Sequence, residues 1–426
     1  MYDKYFVLRY WENLKHRVKK TEKIFKRELK LNFVKNKPIF LTGPRRAGKT
    51  YLLLDIFRST ESIYLDFEHP SIKYVNVKEV FEIIDLINER EGKSLNKVLL
   101  DEVQIVRDWE SLIRGLLDDG FEIIASGSSS KLLPKEMVTT LRGRALSYLL
   151  LPASFKEFLN IKNVKLPTVL SLRDKVKIQN LLEEYMTKGG FIEPLIYEDL
   201  REKILKEYFD TIFYKDFVER FSINDPNIAR ICMEFLFQNF SCEISINKIS
   251  RFVSSIVGSD VKNKVYEYVS RLPETLSVFF VERYNKSLYK RKSEPKKVYI
   301  CDTGLASVLL FDVPLGRLME NIVFLELLRK TNERPLMEIY YYKDNGYEID
   351  FLIKEGPEIK ELIQVTYASS FDEINPREYR AMIRASDLFK ETKLTIITWD
   401  YEDQKRLSWF GKEALINFVP LWKWLL

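Results

Sequence analysis

In the first 150 residues, short apolar runs alternate with longer stretches in which apolar residues recur every three or four positions. Short apolar runs are typical of buried strands, and the wider spacing is typical of helices. This alternation predicts a parallel sheet covered by helices on both faces. The predicted strands cover residues 38–41, 62–67, 97–102, 121–125 and 146–151, and the predicted helices cover 51–58 and 78–91.

On either side of this region the pattern changes, which predicts further domains in an α/β protein. Residues 1–36 have helical spacing among many lysines and arginines, and residues 152–222 read as helices interrupted at 188–194. Because 426 residues exceed what one hydrophobic core usually supports, several domains are expected. We predict an N-terminal helical segment (1–36), a parallel-sheet domain (37–151), a helical lid (152–222), a winged-helix domain (223–312) and a C-terminal α/β domain (313–426).

Composition excludes several classes of chemistry. The chain has 46% hydrophobic residues and a formal net charge of +6, which is compatible with nucleic acid without indicating it. Three cysteines without a C-x-x-C pattern and only two histidines, His16 and His69, exclude a zinc site of the usual ligand count and do not favour a hydrolase triad. No apolar stretch reaches transmembrane length and the N-terminus is unlike a secretory signal. We therefore expect a cytoplasmic protein that makes no membrane contact.

The segment 43–50, GPRRAGKT, follows a predicted strand and opens a predicted helix. In that context G-x-x-x-x-G-K-T predicts a phosphate-binding loop, because glycines let successive N–H groups turn inward beside the helix N-terminus. Lys49 is expected to reach the β- and γ-phosphates of ATP, and the Thr50 hydroxyl is expected to bind Mg²⁺. The predicted nucleotide-binding residues are Gly43, Pro44, Arg45, Arg46, Ala47, Gly48, Lys49, Thr50 and Tyr51.

Two carboxylates, Asp101 and Glu102, end the predicted strand 97–102. Ligands of parallel sheets bind at the carboxyl ends of the strands. Asp101 can therefore hold Mg²⁺, and Glu102 can polarise a water for attack on the γ-phosphate. Alternatively, the strand simply enters solvent through two acids. Ser126 and Ser128 follow the next strand, where a hydroxyl would lie between the loop and the acids, although serines are also common in turns.

Arg142 and Arg144 precede the last predicted strand of this domain. An arginine at that edge can stabilise the transition-state charge on a γ-phosphate, in its own subunit or in a neighbouring one of a homo-oligomer. A structural salt bridge explains the pair equally well.

Taken together, the segments GPRRAGKT, VLLDEVQ, SGSSSKLLPKE and LRGRALSYLLLPASFKEFL resemble a family of archaeal and bacterial AAA+ ATPases. In that family the ATPase precedes a winged-helix region and a C-terminal domain with a nuclease-like fold. The resemblance implies the phosphate, metal and water roles given above, with Ser126 or Ser128 as sensor and Arg142 or Arg144 at the γ-phosphate. Related ATPases place a proline of a Gly-Gly-x-Pro turn on the adenine. Pro194 is the matching candidate here, but two extra residues separate it from the glycines, and a simple helix break is the alternative.

The hairpin of the winged-helix domain carries a basic loop with Tyr284 and Tyr289 among its lysines. Lysines neutralise DNA phosphates without reading bases, so this wing is predicted to contact double-stranded DNA. A rigid spacer or a protein contact is the alternative. The predicted DNA contacts are Lys286, Lys290, Arg291, Lys292, Lys296 and Lys297.

The C-terminal element order, αβββαβ, resembles the restriction-endonuclease-like core, with Glu320 and Asp350 as candidate acids. Active members need an acid and a lysine where this chain has Gln364 and Thr366. Lys354 or Lys360 would have to substitute in space, and the spacing does not support either. A degenerate, non-cleaving domain is therefore expected, serving to dock DNA or a protein partner.

These observations favour an Mg²⁺-dependent ATPase whose cycle rearranges DNA- or protein-binding modules. A nucleotide-dependent switch with little turnover is the second hypothesis, and an ATP-dependent nuclease is the third.

Overall fold

The computed structural model describes residues 2–20, 25–127, 145–167, 169–310 and 312–426, which form two compact units, residues 1–151 and 152–426. The first unit contains a five-stranded sheet in the order β2-β3-β4-β1-β5, and every neighbouring pair is parallel. The predicted parallel sheet is therefore confirmed. Its strands are β1 (Ile39–Thr42), β2 (Ile63–Asp66), β3 (Lys97–Asp101), β4 (Glu122–Ser126) and β5 (Leu146–Leu149), and the helices are α1 (Lys4–Lys20), α2 (Lys49–Ser59), α3 (Val77–Glu91) and α4 (Trp109–Asp118).

The core of this unit lies between the sheet and its helices. Strands β1 and β3 are buried along almost their whole length, as expected when both faces of a parallel sheet are covered. Helix α3 begins at a capping box formed by Asn76 and Glu79, and it ends at Gly92 in the left-handed conformation. These local signals set the two ends of the helix, and its buried residues Val80, Ile83, Ile84 and Ile87 belong to the core of the unit.

The N-terminal segment departs from the prediction of a helix over residues 1–36. Helix α1 ends at Lys20, and residues 25–36 are not helical. The Arg27 side chain, only 9% exposed, donates hydrogen bonds to the carbonyls of Ala47 and Leu151. Because those acceptors belong to separate loops of the sheet domain, the backbone carrying Arg27 follows the domain surface instead of continuing the helix.

The second unit begins with helices, as predicted for residues 152–222. The break at 188–194 is present, because α6 ends at Lys188 and α7 starts at Ile192. The α-helix that ends at Thr211 continues directly as a π-helix, Ile212–Glu219. The helices here are α5 (Phe155–Ile161), α6 (Leu172–Lys188), α7 (Ile192–Ile196) and α8 (Arg201–Thr211).

Residues 226–300 contain in order a helix, a strand, two helices and a hairpin, and we call them the helix–hairpin module. Its sheet has the order β6-β8-β7, with both pairs antiparallel. The hairpin connection, expected to be a loop, contains the short helix α12, whose N-terminus is capped by Ser287. The elements are α9 (Pro226–Gln238), β6 (Cys242–Ile244), α10 (Ile246–Val257), α11 (Lys262–Arg271), β7 (Val278–Glu282), α12 (Leu288–Ser293) and β8 (Lys296–Ile300).

The C-terminal part contains a six-stranded mixed sheet in the order β13-β14-β12-β11-β10-β9. The expected αβββαβ order is present, and a hairpin and a final helix, which were not predicted, follow it. Leu421, Trp422 and Leu425 of that helix are buried, so the apolar C-terminus packs against the fold. The elements are α13 (Leu315–Lys330), β9 (Met337–Asp344), β10 (Tyr347–Glu355), β11 (Glu358–Val365), α14 (Pro376–Leu388), β12 (Lys393–Thr398), β13 (Asp403–Trp409), β14 (Lys412–Pro420) and α15 (Leu421–Leu425).

Within the described part of the chain, no helix combines the length and the apolar character needed to cross a membrane.

Candidate functional site

The backbone of the loop between β1 and α2 has a tight conformation that few residue types can adopt. A Cβ atom at Gly43 would lie 2.0 Å from the carbonyl oxygen of Leu150, so only glycine fits there. Arg46 and Gly48 have positive φ angles of 67° and 98°, which curl the backbone back toward the helix N-terminus. A curled backbone with consecutive N–H groups at the start of a helix is suited to an anion.

Lys49 lies inside this loop. Its side chain is buried at 5% exposure, and Nζ donates to the carbonyls of Gly43 at 3.0 Å and Pro44 at 3.1 Å. The ammonium group is therefore held at the centre of the curl. Tyr51, one turn into α2, is 58% exposed.

Arg27 clamps the loop from outside. Its two terminal nitrogens each donate at 2.6 Å, one to the carbonyl of Ala47 in the loop and the other to that of Leu151 beyond β5. Charged donors on carbonyls form stronger hydrogen bonds than neutral ones. No motif singles out Arg27, because its partners lie 20 and 124 residues away along the chain.

Asp101, at the end of β3, is 1% exposed and surrounded by hydroxyl groups. Tyr64 donates to Oδ2 at 2.7 Å, Ser126 forms a short hydrogen bond to Oδ1, and the Thr50 side chain also bonds the carboxylate. Burial raises the pKa of Asp101, and these hydrogen bonds act in the opposite direction. We call Asp101 with these three hydroxyls the Asp101 centre. All three donors are neutral, so the negative charge is not cancelled by a cation within the set.

This geometry joins residues that the sequence predicted separately. Strand β4 lies between β3 and β1, so Ser126 sits between the acids and the phosphate loop, as expected. Asp101 interacts with the side chain of Thr50, which directly follows Lys49 of the phosphate loop. The contact of Tyr64 with Asp101 was not predicted from the sequence. Its only signal is the pairing of β2, which carries Tyr64, with β3, which ends at Asp101.

Glu102 turns away from the strand with a φ of 53°. Its N–H donates to the Ser126 hydroxyl at 3.3 Å, and its carboxylate accepts from the Gln104 amide at 2.5 Å. Asp66, in register with Asp101 on β2, has a pKa raised to about 6 by burial and by that neighbouring charge. Three acids thus lie at the same edge of the sheet.

Several predicted site residues fall elsewhere. Ser128, Arg142 and Arg144 lie outside the described residues. Pro194 is buried in α7 of the second unit, and its expected contact with adenine stays a prediction.

A second group of buried charges, which we call the Lys297 cluster, lies where the helix–hairpin module meets the C-terminal sheet. Lys297 Nζ contacts Asp350 at 2.7 Å, Glu348 at 2.9 Å and Glu320 at 3.1 Å. Tyr299 also donates to Glu320, at 2.7 Å. Burial alone would lower the pKa of Lys297, but these carboxylates raise it well above its ordinary value.

Lys297 was predicted to contact DNA, and this prediction is wrong. Its side chain is only 3% exposed, because β8 is the central strand of its sheet and directs this lysine toward Glu320 and Asp350. Lys354 and Lys360, the lysines considered for an endonuclease-like centre, pair instead with Glu338 and Glu358. Among the described residues, no group of three or more acid, histidine or cysteine side chains is placed to hold a metal ion.

The remaining basic residues of the hairpin are unevenly available. Lys292 and Lys296 pair with Glu282 at 2.6 and 3.5 Å, and Arg291 donates to the Tyr340 hydroxyl at 2.9 Å. Lys286 and Lys290 are exposed. Since the backbone N–H of Tyr284 also donates to the carbonyl of Tyr341 on β9, and the Tyr341 hydroxyl donates to the carbonyl of Pro295, much of this hairpin packs on the C-terminal sheet. Its basic composition therefore overstates its free positive surface.

Three family models match the chain in succession: an AAA domain at residues 35–159, a domain of unknown function (DUF8612) at 179–314 and another (DUF4143) at 315–422. The Walker-type ATPase PABY2304 of Pyrococcus abyssi overlays 64% of this chain and 91% of its own at 17% identity. Its TM-score is 0.42, below the level at which a likeness carries an assignment.

Two relatives match over most of their length. The uncharacterized protein MJ1544 of Methanocaldococcus jannaschii is 35% identical over 421 residues, covering 96% of this chain and 92% of the relative. An uncharacterized protein of Haemophilus influenzae is 29% identical over 86% of this chain and 90% of its own. Because identity to MJ1544 extends over nearly the whole of both chains, this protein belongs to the same family as MJ1544 and carries an AAA-type ATPase domain.

Proposed function

We propose that this protein is an Mg²⁺-dependent ATPase that couples its nucleotide state to a DNA-binding module. The observation that carries the proposal is that the phosphate loop and the acidic strand end meet at one edge of the sheet, where Ser126 and the Thr50 side chain both interact with the Asp101 carboxylate. A nucleoside triphosphate held by the loop would therefore meet the carboxylates at its γ-phosphate.

The donor set fits a magnesium ion. A carboxylate and a hydroxyl are oxygen ligands of the kind that Mg²⁺ prefers, and the remaining positions are commonly taken by water and phosphate oxygens. When bound, the ion would neutralise charge on the phosphates. Thr50 and Asp101 would hold it, and Tyr64 and Ser126 would orient the Asp101 carboxylate toward it.

The other groups have separate tasks in this proposal. Lys49 would exchange its two loop carbonyls for phosphate oxygens, and Arg27 would keep the loop closed around them. Glu102 would orient the attacking water, with Gln104 limiting the freedom of its carboxylate. Ser126 contacts both the Asp101 side chain and the Glu102 backbone, so it would sense whether the γ-phosphate is present.

For the second unit we propose a winged helix at the helix–hairpin module and a non-cleaving endonuclease-like core after it. The order and pairing of the three small strands support the former. Support for the absence of cleavage comes from Lys297, which already pairs with the candidate acids Glu320 and Asp350. A nuclease is therefore not favoured.

ATP binding and phosphate release by purified full-length protein test the ATPase proposal. We expect Glu102→Gln to keep ATP affinity and to lose roughly 10²–10⁴-fold in turnover, because the water loses its base. Lys49→Ala should abolish ATP binding. Glu68→Gln, an exposed acid near the same edge, is the matched control and should behave as wild type. Normal phosphate release by Glu102→Gln, or unchanged ATP affinity in Lys49→Ala, would refute the assignment.

A further inference from the structure

Helices α10 and α11 form a helix–turn–helix pair within the helix–hairpin module. Four residues, 258–261, connect them, and Gly258 opens the turn with a φ of 73°. Two helices joined by a turn of this length with a glycine are the element that inserts its second helix into a DNA groove.

The two helices have clearly separated faces. Ile249 and Val253 of α10 and Val265 and Val269 of α11 are buried in the module. The outer face of α11 carries Lys262, Asn263 and Tyr266, all exposed. These residues occupy the N-terminal half of the helix, which is the part of a recognition helix that reaches base edges.

The surface of the helix pair is basic, and some of its lysines and arginines form ion pairs whereas others do not. Residues 245–271 contain five lysines and arginines and two acids. Glu267 pairs with Arg271 at 3.1 Å, and Asp260 accepts from the N–H of Lys262 at the start of α11. Lys264 pairs with Asp225.

Three other bases of the pair, Lys248, Arg251 and Lys262, enter none of the ion pairs that join described residues, in contrast to Lys292 and Lys296 of the hairpin. The positive charge that remains for an external anion thus lies on the helices.

The bases of α10 lie beside the outer face of α11. The Tyr266 hydroxyl donates to the Asn247 side chain at 3.0 Å, and Arg251 Nε donates to the Asn247 carbonyl at 3.4 Å. Lys248 follows Asn247 directly. A polyanion in contact with Tyr266 would therefore also meet Lys248 and Arg251.

We propose that this face binds double-stranded DNA, with the N-terminal half of α11 in the major groove and Lys248 and Arg251 on the phosphates. An asparagine amide and a lysine are suited to purine edges, and Tyr266 adds a hydroxyl and an apolar ring. The inference builds on the DNA-binding part of the proposed function and moves its main contact from the hairpin to the helix pair.

The test measures anisotropy of a fluorescent mixed-sequence duplex of about 30 base pairs against full-length protein over a range of salt concentrations. Lys248→Ala/Arg251→Ala/Lys262→Ala should bind at least about tenfold more weakly and lower the salt slope by roughly 2, since the loss of the Lys248 and Arg251 phosphate contacts removes about 0.9 each. The matched control is Lys165→Ala/Lys203→Ala/Lys206→Ala, three exposed lysines on other helices and loops, which should bind as wild type. Thermal unfolding checks that both variants fold.

The inference would be overturned if the triple variant of the helix pair kept the wild-type salt slope of duplex binding while a Lys286→Ala/Lys290→Ala variant showed a reduced slope. DNA would then bind to the hairpin. Wild-type protein that hydrolyses ATP but does not bind the duplex would overturn both the inference and the DNA-binding part of the proposed function. ATP turnover by itself remains the separate test of the ATPase.

Discussion

The Asp101 centre and the Lys297 cluster both bury carboxylates, but their partners differ. Asp101 is surrounded by the hydroxyls of Thr50, Tyr64 and Ser126, which are neutral. In the Lys297 cluster a lysine ammonium contacts three carboxylates at once. Burying an uncompensated charge is costly, so the hydroxyl-bound carboxylate gains most from a cation supplied by a ligand, whereas the lysine-bound group has its cation built in. The partner type therefore separates a binding site from a structural ion cluster.

The largest effect that tests this contrast is expected at Lys297. Lys297→Met would leave the buried carboxylates of Glu320 and Asp350 without this counter-ion, while Glu348 would keep its ion pair with Lys343, and we expect the change to cost about 3–5 kcal/mol in the free energy of unfolding. Chemical denaturation of the full chain measures this loss, from the unfolding transition of the second unit.

Lys360→Met is the control for this loss. Lys360 is about half exposed and its ion pair with Glu358 lies at the surface, so its removal should leave the free energy of unfolding close to that of the wild type. Equal losses in the two variants would mean that the cluster contributes nothing special to the fold.

The contrast also shows how far sequence carries. The parallel sheet, the phosphate loop and the position of Ser126 follow from local patterns, because glycine spacing, apolar runs and strand order are read within short windows. Lys297 could not be assigned in this way. Its acid partners Glu320 and Asp350 lie 23 and 53 residues away, outside the helix–hairpin module, and its neighbours in sequence made it look like part of a basic wing.

Arg27 and Tyr64 were missed for the same reason. Arg27 bonds a carbonyl 124 residues away, and Tyr64 bonds Asp101 across a strand pair whose register no motif records. Contacts of this kind depend on the packed tertiary structure. Composition was misleading in the hairpin too, since Lys292, Lys296 and Arg291 are engaged by Glu282 and Tyr340.

An intermediate effect is expected at Tyr64. Tyr64→Phe removes one donor from Asp101 without changing the shape of the core, and losing such a supporting hydrogen bond typically weakens metal affinity 10–100-fold. We therefore expect ATP affinity to fall in the presence of Mg²⁺ and to stay unchanged in EDTA. Fluorescent-nucleotide titration in both conditions measures the difference.

Tyr148→Phe is the matched control, because the Tyr148 hydroxyl of the same unit bonds the Asn32 backbone and not Asp101. If Tyr64→Phe weakened nucleotide binding equally with and without Mg²⁺, Tyr64 would support the fold and not the metal ligand.

The smallest effect concerns a buried acid with one oxygen that has no partner. Glu378 of α14 has a carboxylate oxygen, Oε2, that is buried and has no hydrogen-bond partner among the described residues. Burial, with a contribution from Asp350, outweighs the opposing hydrogen bond with the Thr366 side chain and raises the pKa of Glu378 to about 7. Here the proton itself takes the place of a counter-ion.

Since the folded pKa lies above that of the unfolded chain, the folded state keeps a proton that the unfolded state has lost between pH 4.5 and 7. The contribution of Glu378 to stability is thus present at low pH and lost as pH rises through that window. The Glu378→Gln side chain is neutral at every pH. The stability of this variant should therefore fall less than that of the wild type when the pH is raised from 5 to 8. We expect a difference of about 1 kcal/mol, less than the full shift implies, because the side chain is partly exposed. Unfolding curves at the two pH values measure it. Parallel pH dependence in both proteins would mean that Glu378 is ionised when folded, and burial would then not suffice to retain a proton at this position.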